Sequence, residues 1–180
     1  MYKTPNAALY RLTVEEFKNA DKHPFVVILD NIRSQHNVGS VFRTADAFLV
    51  RGICLCGITA TPPHRDIEKT ALGATETVYW EYFDNTLEAI NKLKGLGYTI
   101  MAVEQTSESI SLLQYAPDPE TKTAFVFGHE VLGVSEEALA LCDGAIEIPQ
   151  FGTKHSLNVS VSAGIVLWDA VTKYRQKAGK

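Results

Sequence analysis

The sequence predicts an α/β domain with a mainly parallel sheet and helices on both faces of that sheet. Six short apolar runs predict strands, at residues 24–30, 52–58, 77–83, 98–104, 123–128 and 145–149. Each run is largely uninterrupted and is bounded by turn residues, which is typical of strands covered on both sides. Segments with helix-capping signals lie between the runs, and this alternation favours parallel strands joined by helical crossovers.

Side chains that can cap a helix N-terminus stand at the start of five segments. They are Thr13 with Glu16, Asn37, Asn85 with Glu88, Ser135, and either Ser156 or Asn158. Their oxygens can accept hydrogen bonds from the first backbone N–H groups of a helix. The helix after Asn85 is expected to end at Gly95 or Gly97, because glycine readily adopts the left-handed conformation that terminates helices.

The last helix is expected to run to about Lys173. The spacing of Val161, Ile165 and Trp168 predicts its buried stripe. Ala163 and Gly164, early in this helix, allow close backbone approach. A neighbouring element, a ligand or a second subunit could pack against them.

Composition favours one globular domain without a metal site. The 180 residues are 46% hydrophobic and 21% charged. No stretch approaches eighteen apolar residues and the first twenty do not resemble a signal peptide, so a cytoplasmic protein is expected. The three cysteines and five histidines have no metal-ligand spacing, and Cys54, Cys56 and Cys142 are interpreted as core thiols.

The net charge of −4 argues against general affinity for nucleic acid, which comes mainly from lysine and arginine. Any RNA contact must therefore be local. Basic side chains in or near predicted loops and helix starts are candidates for it: Arg33, Arg43, Arg51, Arg65, Lys69 and Lys154. The alternative is that these charges are scattered and solvated.

Four loops after predicted strands have unusual sequences, at residues 30–48, 103–109, 127–135 and 148–160. In open α/β sheets, ligands bind at the carboxyl ends of the strands. Within 127–135, Gly128 and Gly133 have the spacing of a phosphate-binding loop, but Val134 replaces its lysine and Glu130 would repel polyphosphate. A neutral or cationic ligand is favoured, and the alternative is a glycine turn capped by Ser135.

Arg43 follows the start of the helix after the first strand, where a cation gains nothing from the helix dipole. A substrate phosphate held by its planar guanidinium would account for this placement. The alternative is a surface arginine paired with Asp46 or Asp30.

Three segments, in this order, resemble the SpoU/TrmH family of SPOUT RNA methyltransferases. They are NIRSQHNVGSVFRTADAF, FVFGHEVLGVS and IEIPQFGTKHSLNVSVSAGIVLW. The resemblance covers about residues 24–172, and each motif falls in the loop after a predicted strand. It implies residues 1–23 as a short N-terminal extension and residues 24–180 as the methyltransferase domain. It also implies a C-terminal trefoil knot and a homodimer with the active site near the subunit interface.

The resemblance further implies transfer of a methyl group from S-adenosyl-L-methionine to a ribose 2′-oxygen of RNA. The catalytic residues carried over by motif position are Asn37, Arg43, Glu130, Ser156 and Asn158. The implied cofactor-binding residues are Val103, Glu104, Gly128, Ile148 and Leu157. The Gln150-containing form of the third motif favours tRNA over rRNA, and His129 stands where many relatives have a small or amide residue.

Two other functions remain open from the sequence. A catalytically inactive RNA-binding dimer would keep the fold, although Arg43, Glu130 and Asn158 are all present. A nucleotide-hydrolysing or small-ligand α/β enzyme would need the phosphate-binding lysine, whose position Val134 occupies.

Overall fold

The computed structural model describes residues 1–5 and 8–179 and contains a seven-stranded sheet. The strands are β1 (His23–Asp30), β2 (Val50–Cys56), β3 (Trp80–Phe83), β4 (Tyr98–Val103), β5 (Ile110–Ser111), β6 (Lys122–Phe127) and β7 (Gly144–Glu147). Their order is β3-β2-β1-β6-β4-β7-β5, and every neighbouring pair is parallel. The prediction of a parallel α/β sheet is confirmed.

Helices cover both faces of the sheet, as predicted. They are α1 (Val14–Asn19), α2 (Gln35–Ala47), α3 (Arg65–Ala71), α4 (Ala74–Thr77), α5 (Thr86–Gly95), α6 (Glu136–Leu141) and α7 (Val159–Lys177). Successive side chains of β1 point to opposite faces, as the strand period requires. Phe25 and Leu29 join the core under α2 and α7, whereas Val26 and Ile28 join the core under α5 and α6.

The strand order brings the four unusual loops together. The loops after β1, β6, β4 and β7 follow four strands that are neighbours in the sheet. Because all strands are parallel, these loops emerge at the same edge. From β1 the chain continues to β2 on one side, whereas from β6 it continues to β7 on the other side. Open α/β sheets bind ligands at such a switch point.

The capping predictions are confirmed at three helices and wrong in part at two. Thr13, Asn85 and Asn158 accept hydrogen bonds from the first turns of α1, α5 and α7. Ser34, and not Asn37, caps α2, because the Asn37 side chain instead bonds to the loop after β6. Ser135 occupies the cap position of α6 without a capping bond, since its hydroxyl donates to the Asp30 carboxylate.

The predicted buried stripe of α7 is wrong. Val161, Ile165 and Trp168 are 49%, 37% and 61% exposed. The small and branched residues of the opposite face are buried instead: Ala163, Val166, Leu167 and Ala170. α7 carries two apolar faces, and the face with alanines is the one that packs against α2 and the sheet. The face with the larger side chains stays uncovered in the single chain.

Other elements also differ from the sequence prediction. Helices α3 and α4 were not predicted, and α4 occupies the segment just before β3, so the third strand begins at Trp80 and not at residue 77. β5 is a two-residue strand at the sheet edge, too short to leave a pattern. α7 extends to Lys177, one turn beyond the expected end.

The thiols of β2 are buried, as predicted for core cysteines. Burial raises the pKa of the Cys54 thiol to about 12. The Cys142 thiol is half-buried, and its pKa is raised to about 11, again chiefly by burial. These groups therefore stay protonated and unreactive at neutral pH. Within residues 1–5 and 8–179, none of the helices has the length and apolarity needed to cross a bilayer.

Gly39 is expected to be indispensable for the contact between α2 and α3. A Cβ at this position would lie 2.2 Å from the Ile67 carbonyl oxygen and 2.2 Å from Thr70 Oγ1. We expect Gly39→Ala to lower the free energy of unfolding by about 3 kcal/mol, the upper range for overpacking. Urea unfolding measures the change. Gly95→Ala is the control, since its Cβ would meet nothing within 4 Å, and equal stability of the two variants would contradict the prediction.

Candidate active site

A cavity of about 740 Å³ opens at the carboxyl ends of β4, β6 and β7. It is of the size that holds cofactors and other small molecules. Its walls include all five residues that the sequence assigned to cofactor binding: Val103, Glu104, Gly128, Ile148 and Leu157. Three of the five predicted catalytic residues also line it, namely Glu130, Ser156 and Asn158. The structure thus gathers eight predicted residues from the ends of three strands in one place.

The other predicted residues lie outside the cavity lining. Asn37 is half-buried in α2 and reaches the site through hydrogen bonds. Four basic residues are exposed around the site or on neighbouring helices: Arg33, Arg43, Arg65 and Lys154. Arg43 lies on the exposed face of α2 and Arg65 begins α3. These cations face solvent and not the interior of the cavity.

Glu130 is fixed by three donors from the loop after β1 and the start of α2. Its Oε2 accepts from the Arg33 backbone N–H at 3.1 Å, and its Oε1 accepts from the Ser34 N–H at 3.0 Å and from Asn37 Nδ2 at 3.2 Å. Partial burial raises the pKa of this carboxyl, but the hydrogen bonds outweigh burial, and the net pKa lies below the ordinary 4.5. Glu130 is therefore ionised at neutral pH.

The lowered pKa also fixes the pH range in which Glu130 stabilises the fold. Its contribution is fully present above the unfolded pKa of 4.5 and is lost as the pH falls through the lower folded value.

A carboxylate whose oxygens are already occupied by three donors is a poor proton acceptor. Its geometry suits a clamp between two loops better than a general base.

Two amides extend this clamp across the site. Asn37 Oδ1 accepts from Asn158 Nδ2 at 3.1 Å, and Asn158 Oδ1 accepts from the Ser160 N–H at 2.9 Å. Since the carboxylate of Glu130 requires a donor and the Ser160 N–H requires an acceptor, both amide orientations are determined by their partners. The chain Glu130–Asn37–Asn158 ties the loop after β6 to the N-terminus of α7.

The loop after β6 doubles back tightly on itself. His129 and Gly133 exchange backbone hydrogen bonds at 2.9 Å. His129 Nδ1 also accepts from the Val131 N–H at 3.0 Å, so this side chain stabilises the turn. A Cβ on Gly128 would lie 2.1 Å from the carbonyl carbon of Gly133 and from the nitrogen of Val134. The loop needs glycine there.

Glu104 joins the loop after β4 to the same turn. Its Oε2 accepts from the Val134 N–H at 3.1 Å, and a Cβ on Gly133 would come within 2.3 Å of that oxygen. The neighbouring Gln105 donates through Nε2 to the His155 carbonyl at 3.1 Å and so braces the loop after β7. Glu104 therefore shapes the wall of the cavity as well as lining it.

The charge of the cavity wall is negative. Four glutamates line it, Glu104, Glu130, Glu136 and Glu147, and its lining contains neither lysine nor arginine. A wall of this kind disfavours polyphosphate and accepts a cation. The structure thus supports the interpretation that the glycine loop is not a phosphate cradle.

Sequence reasoning missed Ser34, Gln105 and the structural role of His129. Ser34 acts through its backbone N–H, and Gln105 contacts a residue fifty positions away, so no local pattern signals either. Within the part of the chain that the structure describes, no three His, Cys, Asp or Glu side chains are grouped so as to hold a metal ion. The absence of a metal stays a prediction.

Comparison with known proteins identifies the family. The model of the SpoU rRNA Methylase family matches residues 24–168. The chain belongs to this family. The tRNA (guanosine(18)-2′-O)-methyltransferase of Thermus thermophilus is 36% identical over 169 residues, which are 94% of this chain and 84% of that protein. The 23S rRNA (guanosine-2′-O-)-methyltransferase RlmB of Neisseria meningitidis is 35% identical over 150 residues, 83% of this chain and 59% of that protein.

A solved SpoU-family structure has the same fold. The crystal structure of the A. aeolicus TrmH/SpoU tRNA modifying enzyme superposes with a TM-score of 0.79 at 30% identity, covering 92% of this chain and 82% of that chain. The SpoU/TrmH resemblance is confirmed, together with the parallel α/β fold. The trefoil knot and the boundary at residue 24 stay predictions. Phe17 of the predicted extension is buried in the same core as β1, so α1 packs on the domain.

Proposed function

We propose that this SpoU-family chain transfers the methyl group of S-adenosyl-L-methionine to a ribose 2′-oxygen of a structured RNA. The observation that carries the proposal is the cavity at the carboxyl ends of β4, β6 and β7. Its wall has four carboxylates and neither lysine nor arginine, next to a clamp built from Glu130, Asn37 and Asn158. The named relatives that cover most of this chain are guanosine 2′-O-methyltransferases.

The residues present fit the cofactor. S-adenosyl-L-methionine supplies a methyl group on a positively charged sulfur, which a wall of carboxylates tolerates and a basic phosphate site would not. Gly128 and Gly133 line the cavity with backbone. A Cβ on Gly128 would collide with the backbone of the same loop, and one on Gly133 would collide with the Glu104 carboxylate. Val103, Ile148 and Leu157 provide apolar surface for the rest of the molecule. A bound cofactor is therefore expected to contact mainly backbone and aliphatic groups.

Polar side chains in and beside the cavity are proposed to position the ribose. Asn158 and Ser156 line the rim where the ribose enters, and Asn37 holds Asn158 in place. Arg43 is always charged and cannot act as a base at neutral pH. It is proposed to bind a phosphate beside the reacting ribose and to stabilise the negative charge that develops on the 2′-oxygen, while that phosphate or a side chain takes the proton.

Exposed cations are proposed to hold the RNA backbone. Arg33, Arg65 and Lys154 complement Arg43 in this role, because the chain as a whole is acidic and its phosphate contacts must be local. A tRNA is favoured over rRNA. The Thermus relative that acts on tRNA is matched over 84% of its length, and the family resemblance associates the Gln150 form of the third motif with tRNA-guanosine enzymes. Action on tRNA is also the reason to propose a cytoplasmic location.

Glu130→Gln tests the clamp. The amide keeps the shape of the side chain but replaces one acceptor oxygen with a donor, so one of the three N–H groups now bound to the carboxylate loses its partner. We expect kcat to fall roughly tenfold, the effect of one unsatisfied hydrogen-bonding group. Steady-state methylation of tRNA measures it. Glu137→Gln, on the exposed side of α6, is the control, and unchanged kcat in Glu130→Gln would contradict the clamp.

A homodimer is proposed from the uncovered face of α7. Val161, Ile165 and Trp168 lie at helical spacing on this face, and the position of Gly164 between them is open, with nothing within 4 Å of an added Cβ. Trp168 also contacts Phe48 at the end of α2, with ring centroids 5.8 Å apart. An apolar stripe of this kind is typical of a surface that a second copy covers.

Ile165→Glu is expected to convert the dimer to a monomer. A charge in the centre of the stripe would have to be buried without a partner in the dimer but is hydrated in the monomer. Sedimentation equilibrium measures the mass. The control is Leu96→Glu, which places the same charge on another exposed leucine, 55% accessible, at the end of α5 on the other face of the sheet. Dimers of unchanged stability in Ile165→Glu would show that the subunits meet elsewhere.

Methyl transfer with labelled S-adenosyl-L-methionine tests the proposed function. The expected result is label in tRNA, recovered as a 2′-O-methyl nucleoside by mass spectrometry, and none in RNA lacking the target 2′-hydroxyl. S-adenosylhomocysteine, and not ATP, should raise the melting temperature, because a ligand stabilises the fold that binds it. RNA binding without transfer would favour the inactive RNA-binding dimer. Stabilisation by ATP alone would favour a nucleotide-hydrolysing enzyme.

A further inference from the structure

A buried carboxylate lies directly behind the proposed active site. Asp30 is the last residue of β1 and is 1% exposed. Its Oδ2 accepts from the Ser135 N–H at 2.9 Å and from the Ser135 hydroxyl at 3.0 Å. Its Oδ1 accepts from the Thr86 hydroxyl and from Asn31 Nδ2, the latter at 2.8 Å. All four donors come from the carboxyl-terminal edge of the sheet.

Asn31 extends these bonds to the loop after β2. It has a left-handed backbone, with φ of 57°, and its Oδ1 accepts from the Ile58 N–H at 3.1 Å. A Cβ on the adjacent Gly57 would lie 2.2 Å from that oxygen. Asp30 and Asn31 therefore join the ends of β1 and β2 to the start of α5 and to the loop before α6.

This arrangement holds the Glu130 loop at two points. At the end of the loop, Ser135 donates to the Asp30 carboxylate. Within the loop, Glu130 accepts from the backbone N–H groups of Arg33 and Ser34. β6 fixes the other end of the loop. A loop held on both sides of Glu130 keeps its carboxylate, and the cavity wall formed by residues 128–134, in one position.

We propose that Asp30 is a positioning residue for methyl transfer, acting through Ser135 on the loop that carries Glu130 and lines the cofactor cavity. The inference rests on the proposed function of that site. A carboxylate suits this role because it only accepts hydrogen bonds and has enough lone pairs for four donors. An amide would turn a donor toward at least one of them. Asp30 itself lines neither the cavity nor the proposed RNA surface.

Asp30→Ala and Asp30→Asn test the proposal at a temperature well below unfolding. Active protein is counted by titration with S-adenosylhomocysteine, and kcat is expressed per binding site, which removes the effect of unfolded molecules. We expect kcat to fall roughly 10-fold to 100-fold in Asp30→Ala, the effect of displacing reacting groups by about 1 Å. The KM for tRNA should change less than about threefold, because Asp30 touches no RNA.

Asp30→Asn keeps the volume of the side chain and is the decisive variant if Asp30→Ala does not fold. Its expected loss of kcat per site is about tenfold, with weaker binding of S-adenosylhomocysteine. Thr86→Val is the control. It removes the hydroxyl that donates to the other carboxylate oxygen of Asp30. Thr86 has no link to the Glu130 loop. The variant should therefore have a lower melting temperature but keep kcat per site within about twofold.

The outcomes separate this inference from the proposed function. Unchanged kcat per site and unchanged affinity for S-adenosylhomocysteine in Asp30→Asn would overturn the positioning role, as would an equal loss in Thr86→Val. If the wild-type protein bound S-adenosylhomocysteine but methylated no RNA, methyl transfer would be refuted. A loss of affinity confined to the Asp30 variants would then still support positioning of the loop.

Discussion

Arg43→Ala is expected to lose roughly 100-fold to 1,000-fold in kcat at saturating tRNA, the effect of removing one group that stabilises a developing oxyanion. Arg43 lies on the exposed face of α2, outside the cavity lining. This position suits an RNA phosphate next to the reacting ribose and not the cofactor. Affinity for S-adenosylhomocysteine should therefore stay close to that of the wild type. Single-turnover methylation of tRNA and a separate binding titration measure the two quantities.

Arg51, which the sequence alone also made a candidate for RNA contact, is exposed but lies near the amino end of β2, at the opposite edge of the sheet. Arg51→Ala is therefore the matched control. It should retain the wild-type kcat. Arg43→Lys should recover only part of the activity, since an ammonium lacks the planar fork that binds phosphate through two N–H groups. Near-normal turnover of Arg43→Ala at saturating tRNA would exclude the role proposed for this guanidinium.

Gly128→Ala is expected to weaken binding of S-adenosylhomocysteine by roughly 100-fold, which corresponds to the upper range of the cost of overpacking. The added Cβ would lie 2.1 Å from Val134 N and 2.3 Å from the Gly133 carbonyl oxygen. Backbone atoms cannot rotate away as a side chain does. The turn must open, and its movement would break the bonds of Glu130 to Arg33 and Ser34. Isothermal titration with S-adenosylhomocysteine measures the loss.

Gly152→Ala provides the comparison within the same site. Gly152 lies in the loop after β7, and a Cβ there would meet nothing within 4 Å. Its affinity should stay within about twofold of the wild type, as for a surface substitution. Circular dichroism of both variants distinguishes a lost cavity from a lost fold. Wild-type affinity in Gly128→Ala would mean that the cofactor binds away from this loop.

The sequence predicted the sheet and the place of the cavity better than it predicted the local contacts that build them. The apolar runs predicted the parallel sheet, and the four loops with unusual composition follow four neighbouring strands. The glycine spacing with Val134 in place of lysine indicated a cavity without phosphate-binding cations. The lining of the cavity contains neither lysine nor arginine, as this predicts. These inferences succeed because they depend on patterns within one segment.

The wrong predictions concern side chains with several possible partners. Asn37 and Ser135 have the composition of helix caps, but residues about one hundred positions away compete for their side chains. On α7, periodicity showed that Val161, Ile165 and Trp168 share a face but not which neighbour covers it. α3 is capped by the His64 ring, an unusual cap that sequence rules do not include. Local patterns carry no information on such distant competition.

The residues of the clamp lie far apart along the chain. This separation has a consequence for biosynthesis. Glu130 bonds to residues 96 and 97 positions earlier, and Asn158 to one 121 positions earlier. Contacts of such high contact order form late, after loop closure has been completed by the intervening strands. We therefore expect a nascent chain on the ribosome to lack a functional pocket until α7 has emerged. Truncated translation products should therefore sequester neither methyl donor nor RNA.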